Sequence, residues 1–185
     1  MSYATTAIQS ACTAQALYAS PLGPMLLART RTGMAGAWFM LQKDHPGELN
    51  APEQPDDPLL RRAVEQFRRY FAGGREGFDL PLDLLGTAFQ RAVWHALLHI
   101  PMGTTQTYGA IARTVNSPLA VRAVGAAVGK NPLGVIVPCH RVIGSSGALT
   151  GYAAGLERKT ALLELEGALP VRPALAQTAL FEAAA

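Results

Sequence analysis

Apolar and polar positions change their spacing along the first half of the chain. Residues 14–40 contain short apolar runs on either side of Arg31–Gly33, and this pattern predicts two or three antiparallel strands. From Asp57 onward, apolar residues recur every three to four positions until Gly73–Gly74. The spacing predicts an amphipathic helix with Asp57 as its N-cap and Pro58 as its first residue, packed on the strands.

A different pattern begins at Gly86. Thr87 and Gln90 match a helix-capping box, and apolar residues follow at helical spacing until Pro101. We therefore expect one helix between Thr87 and Pro101.

Two shorter helices are predicted after it. Thr107 suits the N-cap of a helix that begins at Tyr108, and Ser117 with Pro118 is expected to start another helix that ends near Gly129. Two short helices joined by three or four residues, behind a longer helix, are typical of a helix-turn-helix. The last helix is then the one expected to read DNA.

This expected reading helix carries almost only small side chains. Arg122 is its single long charged residue, and Ala123, Gly125 and Gly129 belong to a run of alanines and glycines. A glycine costs a helix about 1 kcal/mol relative to alanine, so the two glycines need a reason. Either another segment packs closely against them, or the helix is smooth so that it can enter a DNA groove with Arg122 projecting.

These elements predict an α+β protein in two domains. We expect a small sheet-and-helix domain at residues 1–85, a helical domain at 86–169 and a flexible tail at 170–185. No apolar run approaches the roughly 18 residues that cross a bilayer, and the N-terminus lacks a signal-peptide pattern. We therefore expect a soluble, cytoplasmic monomer with no membrane partner.

The charge and the cysteine content of the chain exclude few classes of function. Residues 86–169 hold seven Lys or Arg and three Asp or Glu, a surplus of four, and residues 1–85 hold one more acidic than basic residue, which together give the net charge of +3. Such a surplus favours a phosphate-rich partner, although it is also common in proteins that bind no nucleic acid. Cys12 and Cys139 are too far apart along the chain to suggest a disulfide framework. Cys12 is expected to be a packed or surface thiol without chemistry.

The segment Asn131–Ile143 holds the clearest chemical signal. Apolar residues lead to Pro138, which is followed by Cys139, His140 and Arg141. An imidazole and a guanidinium beside a thiol favour the thiolate, which is the reactive form, whereas a thiol buried by chance is inert. On a straight strand adjacent side chains point to opposite faces, so Cys139 and His140 meet only if the chain bends, and Pro138 favours a bend.

Through these residues the chain resembles the O6-alkylguanine-DNA alkyltransferases. The run Val137–Val142 is similar to the family's active-site motif, and the resemblance is close over residues 86–167 but reaches residues 14–85 only in outline. It implies a ribonuclease H-like N-terminal domain followed by a winged helix-turn-helix-like domain that carries the reactive cysteine. The implied function is DNA repair, in which the alkyl group of O6-methylguanine, and also of O4-methylthymine, moves once and irreversibly to Cys139.

The resemblance also implies a role for each site residue. Cys139 would be the nucleophile, and His140 would act through a water as its base, with Glu166 orienting the imidazole. Tyr108 would donate a proton or hydrogen bond to guanine N3 as the bond to O6 breaks. Asn131 is also implied as a catalytic-site residue, because it would hold the active-site loop in its bent form.

DNA binding would require the damaged base to leave the duplex, at a cost of a few kcal/mol. Arg122 would fill the space that the base leaves, entering from the minor groove, and Arg141 would help Asn131 to hold the loop. The implied DNA-binding residues are Tyr108, Arg122, Ala123, Gly125 and Arg141. The implied partner is double-stranded DNA that bears O6-alkylguanine.

The guanine pocket would be tight and mostly apolar. Backbone groups of Cys139 and Val142 would accept from the exocyclic amine, and the amide of Ala153 would donate to O6. Ala153 and Ala154 replace Ser and Gly of the mammalian proteins, which leaves the response to bulky guanine analogues open. The residues expected to line the pocket are Pro138, Val142, Tyr152, Ala153 and Ala154.

No metal or other cofactor is expected. Mammalian members bind zinc in the first domain, but only Cys12 and His45 are available there in this chain. His95 and His99 have metal-ligand spacing on one helix, yet two ligands are too few.

Two other functions compete with this interpretation. A cysteine hydrolase that uses Cys139 and His140 would need an oxyanion hole and would turn over many times. A binder of damaged DNA without chemistry would not need the nucleophile, so the presence of Cys139 argues against it.

Overall fold

Three strands form the first layer of the protein. The computed structural model describes residues 3–170, with side chains from residue 7 onward, so the expected tail lies outside the described residues except for its first residue. The strands are antiparallel in the order β1-β2-β3, which confirms the predicted pattern. They span β1 (Ala14–Ser20), β2 (Gly23–Arg29) and β3 (Met34–Phe39), and an unpredicted helix, α1 (Tyr3–Ala11), precedes them.

The sheet is covered on both faces, which explains why every residue of β3 is buried. On one face Leu27 packs in the main core with Phe67, which belongs to the helix after the sheet. On the other face Trp38 packs in a smaller cluster with Ile8 of α1 and Leu49. Apolar side chains that alternate between faces can all be buried only in such a three-layer arrangement.

Cys12 belongs to that smaller cluster. Its side chain is buried, and burial together with the negative charge of Asp83 raises the pKa of the Cys12 thiol to about 11. The thiol is therefore protonated at neutral pH and packs as an apolar group, as expected.

Helix α2 (Pro58–Phe71) begins and ends where the sequence predicts. The carboxylate of Asp57 accepts hydrogen bonds from the amides of Leu59 and Leu60 at 2.9 and 3.1 Å. Asp57 also accepts from Arg29 of β2 at 2.5 and 2.9 Å, so the cap ties α2 to the sheet.

The second half of the chain is mainly helical, so the fold is α+β as predicted. Thr87 and Gln90 form the predicted capping box, and Thr107 caps the next helix through the amide of Ala110. No helix within the described range is long and apolar enough to span a bilayer. The elements are α3 (Ala88–Leu98), β4 (Gln106–Thr107), α4 (Tyr108–Thr114), α5 (Val121–Gly129), β5 (Val142–Ile143) and α6 (Leu156–Leu165), and β4 pairs in parallel with β5.

The predicted start of α5 is wrong by three residues. The hydroxyl of Ser117 donates back to the carbonyl of Val115, so it caps no following helix. Pro118 lies in a turn that the amide of Ala120 closes onto the Ser117 carbonyl at 2.9 Å. Helix α5 begins only at Val121, which lengthens the connection between the two short helices beyond the expected three or four residues.

We expect Asp57→Ala to lower the free energy of unfolding at pH 7 by about 1–2 kcal/mol, because it removes the cap of α2 and the partner of Arg29. Burial opposes ionisation of Asp57, but Arg29 and the α2 amides outweigh it and lower the pKa of the carboxyl group. The stabilisation is therefore present above the unfolded pKa of about 3.9 and is lost as the pH falls through the folded pKa.

Urea denaturation at pH 7 and at lower pH measures this effect. Asp56→Ala is the matched control, because Asp56 is the exposed neighbour and makes no cap. Equal stability of the two variants at pH 7 would contradict the assigned role of Asp57.

Candidate active site

The segment that holds the predicted nucleophile folds into consecutive tight turns. The amide of Val137 donates to the carbonyl of Leu133 at 2.8 Å, and the amide of Arg141 donates to the carbonyl of Pro138 at 3.0 Å. Pro138 has φ −80° and ψ 62°, and the next three residues form a 3-10 turn. The expected bend is therefore present, and Cys139 and His140 are not forced to opposite faces as on a strand.

Strand β3 holds this segment in place. The amide of Ala37 donates to the carbonyl of Pro132, and the amide of Gly134 donates to the carbonyl of Ala37, both at 2.9 Å. A Cβ at position 134 would lie 2.9 Å from that carbonyl oxygen, so any other residue would force the backbone to shift. The next residue, Val135, has φ +70°, which costs a β-branched residue about 1–3 kcal/mol. The contacts with β3 offset this strain.

Asn131 connects the bent loop to the sulfur. Its Oδ1 accepts from the amide of Leu133 at 3.0 Å, and its Nδ2 donates to the carbonyl of Val137 at 2.8 Å. The same Nδ2 lies 3.1 Å from Sγ of Cys139. The buried amide group thus fixes the loop and supplies a donor that stabilises a thiolate.

Cys139 opens into a narrow cavity between the two halves of the chain. Residues from the turn after β3, from the end of α5, from the bent loop and from the loop before α6 surround it. A larger surface groove of about 690 Å³ against β1 and α2 contains no cysteine, serine or histidine, so the small cavity is the candidate site. Within the described residues, no group of three or more His, Cys, Asp or Glu could hold a metal ion. The cavity is lined by Gln42, Val128, Gly129, Asn131, Gly134, Cys139, Gly151, Tyr152, Ala153 and Ala154.

Behind Cys139 lies a buried hydrogen-bond network centred on Glu166. Nε2 of His140 lies 2.8 Å from Oε1 of Glu166. Arg141 donates from Nε to Oε2 at 2.8 Å and from Nη2 to Oε1 at 2.9 Å, and its Nη1 donates to the carbonyl of Ile100 at 2.5 Å. The hydroxyl of Tyr70 donates to Oε1 at 2.7 Å. This network brings together the sequence-predicted residues His140, Arg141 and Glu166.

The network determines which nitrogen of His140 carries the proton. Burial raises the pKa of Glu166, but hydrogen bonds from His140 and Arg141 outweigh it and hold that pKa far below its usual range, so the carboxylate can only accept. Burial lowers the pKa of His140, which keeps the ring neutral. The single ring proton therefore lies on Nε2, facing Glu166. Nδ1 is buried and has no hydrogen-bond partner among the described residues, so it is free to accept a proton.

The expected influence of Arg141 on Cys139 is wrong. The guanidinium group faces Glu166 and Ile100, and burial on balance raises the pKa of the Cys139 thiol. The cation that favours the thiolate is Lys159 of α6, together with the hydrogen bond from Asn131.

Lys159 was not predicted from the sequence. Its side chain is fully buried, and Nζ donates to the carbonyls of Val142 at 2.5 Å and Thr150 at 2.8 Å. Burial lowers the pKa of Lys159 to about 8, while Cys139 acts in the opposite direction. The lysine joins the active-site strand to the loop before α6 and places a positive charge near the sulfur. The sequence does contain a signal that Lys159 is buried. It lies three residues before the buried Leu162 and seven before Glu166, which places all three on one face of the helix.

The residues predicted to contact DNA differ in exposure, and four of the five lie together around the start of α5. Arg122 and Ala123 are exposed at the start of α5, and the Tyr108 hydroxyl donates to the Thr150 carbonyl at 3.3 Å. A Cβ at Gly125 would lie 3.8 Å from the Tyr108 ring, which is an ordinary contact. Packing among the described residues therefore does not require this glycine. Arg141 lies apart from this group and is buried at Glu166.

The predicted pocket residues divide into two groups. Tyr152, Ala153 and Ala154 line the cavity with Cys139, whereas Pro138 and Val142 are buried in the loop behind it. The backbone carbonyls of Cys139 and Val142 are the ones expected to accept from guanine. The carbonyl of Cys139 already accepts a hydrogen bond from the amide of Val142, and the carbonyl of Val142 accepts one from Nζ of Lys159. A carbonyl oxygen has two lone pairs, so each retains one for a ligand.

Comparison with known proteins identifies the family. Residues 14–84 match the family model for the ribonuclease-like domain of 6-O-methylguanine DNA methyltransferase, and residues 88–168 match the model for its DNA-binding domain. The chain belongs to the 6-O-methylguanine DNA methyltransferase family. This finding agrees with the resemblance seen in the sequence and with the α+β fold of a small sheet domain followed by a helical domain.

Individual relatives are similar over most of their length. The chain is 47% identical to a methylated-DNA–protein-cysteine methyltransferase of Methanosarcina acetivorans over 154 residues, covering 82% of this chain and 97% of the relative. It is 50% identical to the protein of that name from Mycobacterium bovis, covering 80% and 88%. The crystal structure of Mycobacterium tuberculosis OGT in complex with DNA superimposes with a TM-score of 0.79 at 46% identity, covering 84% of this chain and 93% of that one.

We expect Lys159→Met to raise the pKa of Cys139, because the buried cation that favours the thiolate is lost. In a Cys12→Ala background, the reaction of Cys139 with iodoacetamide at pH 8 should slow about threefold to thirtyfold. Lys130→Met is the control, because Lys130 is exposed at the end of α5. Circular dichroism checks that both variants are folded, and equal rates in folded variants would contradict the role of Lys159.

Proposed function

We propose that this protein repairs DNA by transferring the alkyl group of O6-methylguanine, and of O4-methylthymine, to Sγ of its own Cys139. The observation that carries the proposal is the position of Cys139, which opens into a narrow cavity beside Asn131, with the His140–Glu166 pair directly behind it. Membership of the 6-O-methylguanine DNA methyltransferase family and the names of the relatives support the same reaction.

The proposed reaction is a single in-line displacement. The thiol proton of Cys139 passes through a water to Nδ1 of His140, and the thiolate attacks the alkyl carbon. The carbon–sulfur bond forms as the bond from carbon to O6 breaks, and the electron pair of that bond moves to the guanine. Tyr108 supplies a proton to N3 of the departing base, and His140 returns a proton to Tyr108, so the thiol proton ends on guanine. No cofactor is needed, and the thioether is permanent.

We propose that DNA binds across α4 and α5, with the damaged base turned out of the duplex into the cavity. The exposed positions of Arg122 and Ala123, and the absence of any packing requirement for Gly125, fit a smooth helix that enters a groove. Tyr108 lies between this helix and the loop before α6, where an extrahelical base would pass. The M. tuberculosis relative has been crystallised with DNA, which supports this partner.

Selectivity would come from the shape of the cavity. Tyr152, Ala153 and Ala154 leave a small, mostly apolar space beside Cys139. The backbone groups of Cys139 and Val142 would supply the polar contacts to the base, as the family resemblance implies. A methyl group fits such a space with less rearrangement than a bulky alkyl group.

We further propose that the chain forms two domains with a boundary near residue 86 and acts as a monomer in the cytoplasm. The matched ranges 14–84 and 88–168 support this boundary. All proposed reacting groups come from one chain, which supports a monomer.

The test of this function is the intact mass of the protein after incubation with a duplex that contains O6-methylguanine. We expect one added methyl group per chain in the wild type and in Cys12→Ala, and none in Cys139→Ala. Multiple turnovers without added mass would favour a cysteine hydrolase. Tight binding without added mass would favour a non-reactive binder of damaged DNA.

A second test separates base delivery from chemistry. We expect Arg122→Ala to slow repair in duplex DNA about tenfold or more and to change the reaction with a free O6-alkylguanine base less than about twofold. Arg31→Ala, which removes an exposed arginine of the first half, is the control. Equal slowing of both reactions in Arg122→Ala would disprove the intercalating role.

A further inference from the structure

Tyr70 reaches the active site from the other half of the chain. It belongs to α2, and its side chain is 3% exposed. Its hydroxyl donates to Oε1 of Glu166 at 2.7 Å, across 96 residues of sequence. From the loop after α2, Nη1 of Arg75 donates to the backbone carbonyl of Glu166 at 2.6 Å. The sheet half therefore holds both the side chain and the main chain of Glu166.

The hydroxyl of Tyr70 is the third hydrogen-bond donor to Oε1 of Glu166. Oε1 also accepts from His140 and from Arg141, and Oε2 accepts from Arg141. Three of these four hydrogen bonds end on Oε1, which has two lone pairs that the donors must share, and one ends on Oε2. Burial and the charge of Glu166 raise the pKa of Tyr70, so the phenol stays protonated and can act only as a donor here.

We propose that Tyr70 is a positioning residue for methyl transfer, which the N-terminal half supplies by holding Oε1 of Glu166 against His140. This inference rests on the proposed function. The N-terminal half then does more than support the active-site loop, because it sets the charge and the orientation of the Glu166 carboxylate behind His140.

Loss of the Tyr70 hydroxyl should change the pKa of His140 in one definite direction. A hydrogen bond to a carboxylate disperses its charge, so loss of the Tyr70 hydroxyl leaves Glu166 more basic and better able to stabilise the imidazolium form of His140. The pKa of His140 should rise. Because the protonated imidazole cannot act as the base, the acid limb of the rate profile should move to higher pH. The titratable and charged side chains around this pair are Tyr70, Cys139, Arg141, Tyr152 and Lys159, with Arg75 at the main chain.

Tyr70→Phe removes the hydroxyl and keeps the ring. The ring packs against Phe71 and Phe78, with centroids 5.3 and 5.6 Å away, so phenylalanine keeps these contacts. Tyr18→Phe is the matched control, because Tyr18 is also buried and stacks on Phe71 but has no contact with Glu166.

The experiment is single-turnover methyl transfer from duplex DNA at saturating protein, followed by intact mass as a function of pH. For Tyr70→Phe we expect the first-order rate constant to fall about threefold to tenfold and the acid limb to move up by about half a pH unit. The half-saturating protein concentration should not change. Partial unfolding would raise the total protein concentration needed for half-saturation and leave the rate constant at saturation unchanged, so the two quantities separate misfolding from an effect on the chemical step.

A second variant tests the opposite direction. A 3-fluorotyrosine in place of Tyr70 is a stronger hydrogen-bond donor, and we expect it to move the acid limb to lower pH. An unchanged limb in both variants, a raised half-saturating protein concentration alone, or an equal change in Tyr18→Phe would overturn the proposal. If the wild type itself transfers no methyl group, the proposed function fails and this inference fails with it.

Discussion

The buried carboxylate of Glu166 is the interaction on which the active site depends. It is the acceptor for His140, for two nitrogens of Arg141 and for the hydroxyl of Tyr70, and no other carboxylate lies in this network among the described residues. Removing one partner of such a buried group typically costs about 3–5 kcal/mol, because the remaining charge is left uncompensated. Folding and proton placement therefore depend on the same four hydrogen bonds.

The fold brings these groups together by joining two structurally different halves. Strand β3 fixes the bent loop through Ala37, and α2 and the loop after it hold Glu166 through Tyr70 and Arg75. The strained backbone at Val135 persists because these contacts determine it from outside the loop. The reactive thiol is thus placed by long-range contacts, while local sequence supplies the turn that exposes it to the cavity.

Local signals in the sequence were sufficient for most helices and for the reactive loop. The caps at Asp57 and Thr87 act within three residues, so they are visible in the sequence and were predicted. Ser117 led to a wrong start for α5, because its hydroxyl donates to the carbonyl of Val115, which precedes it in the chain, and caps no helix. Tyr70 had no local signal, since its partner is 96 residues away, and Lys159 was missed although its helical spacing marks a buried face. What sequence reasoning lacked was therefore the pairing between distant polar groups.

The most direct test of this account is the protonation of the His140 ring, measured from the 15N chemical shifts of the wild-type protein labelled at histidine and assigned with His140→Gln. At neutral pH we expect a neutral ring with its proton on Nε2, donated to Glu166, and an unprotonated Nδ1 that can accept the proton of the Cys139 thiol. An imidazolium ring, or a proton on Nδ1, would contradict the central role of the Glu166 carboxylate.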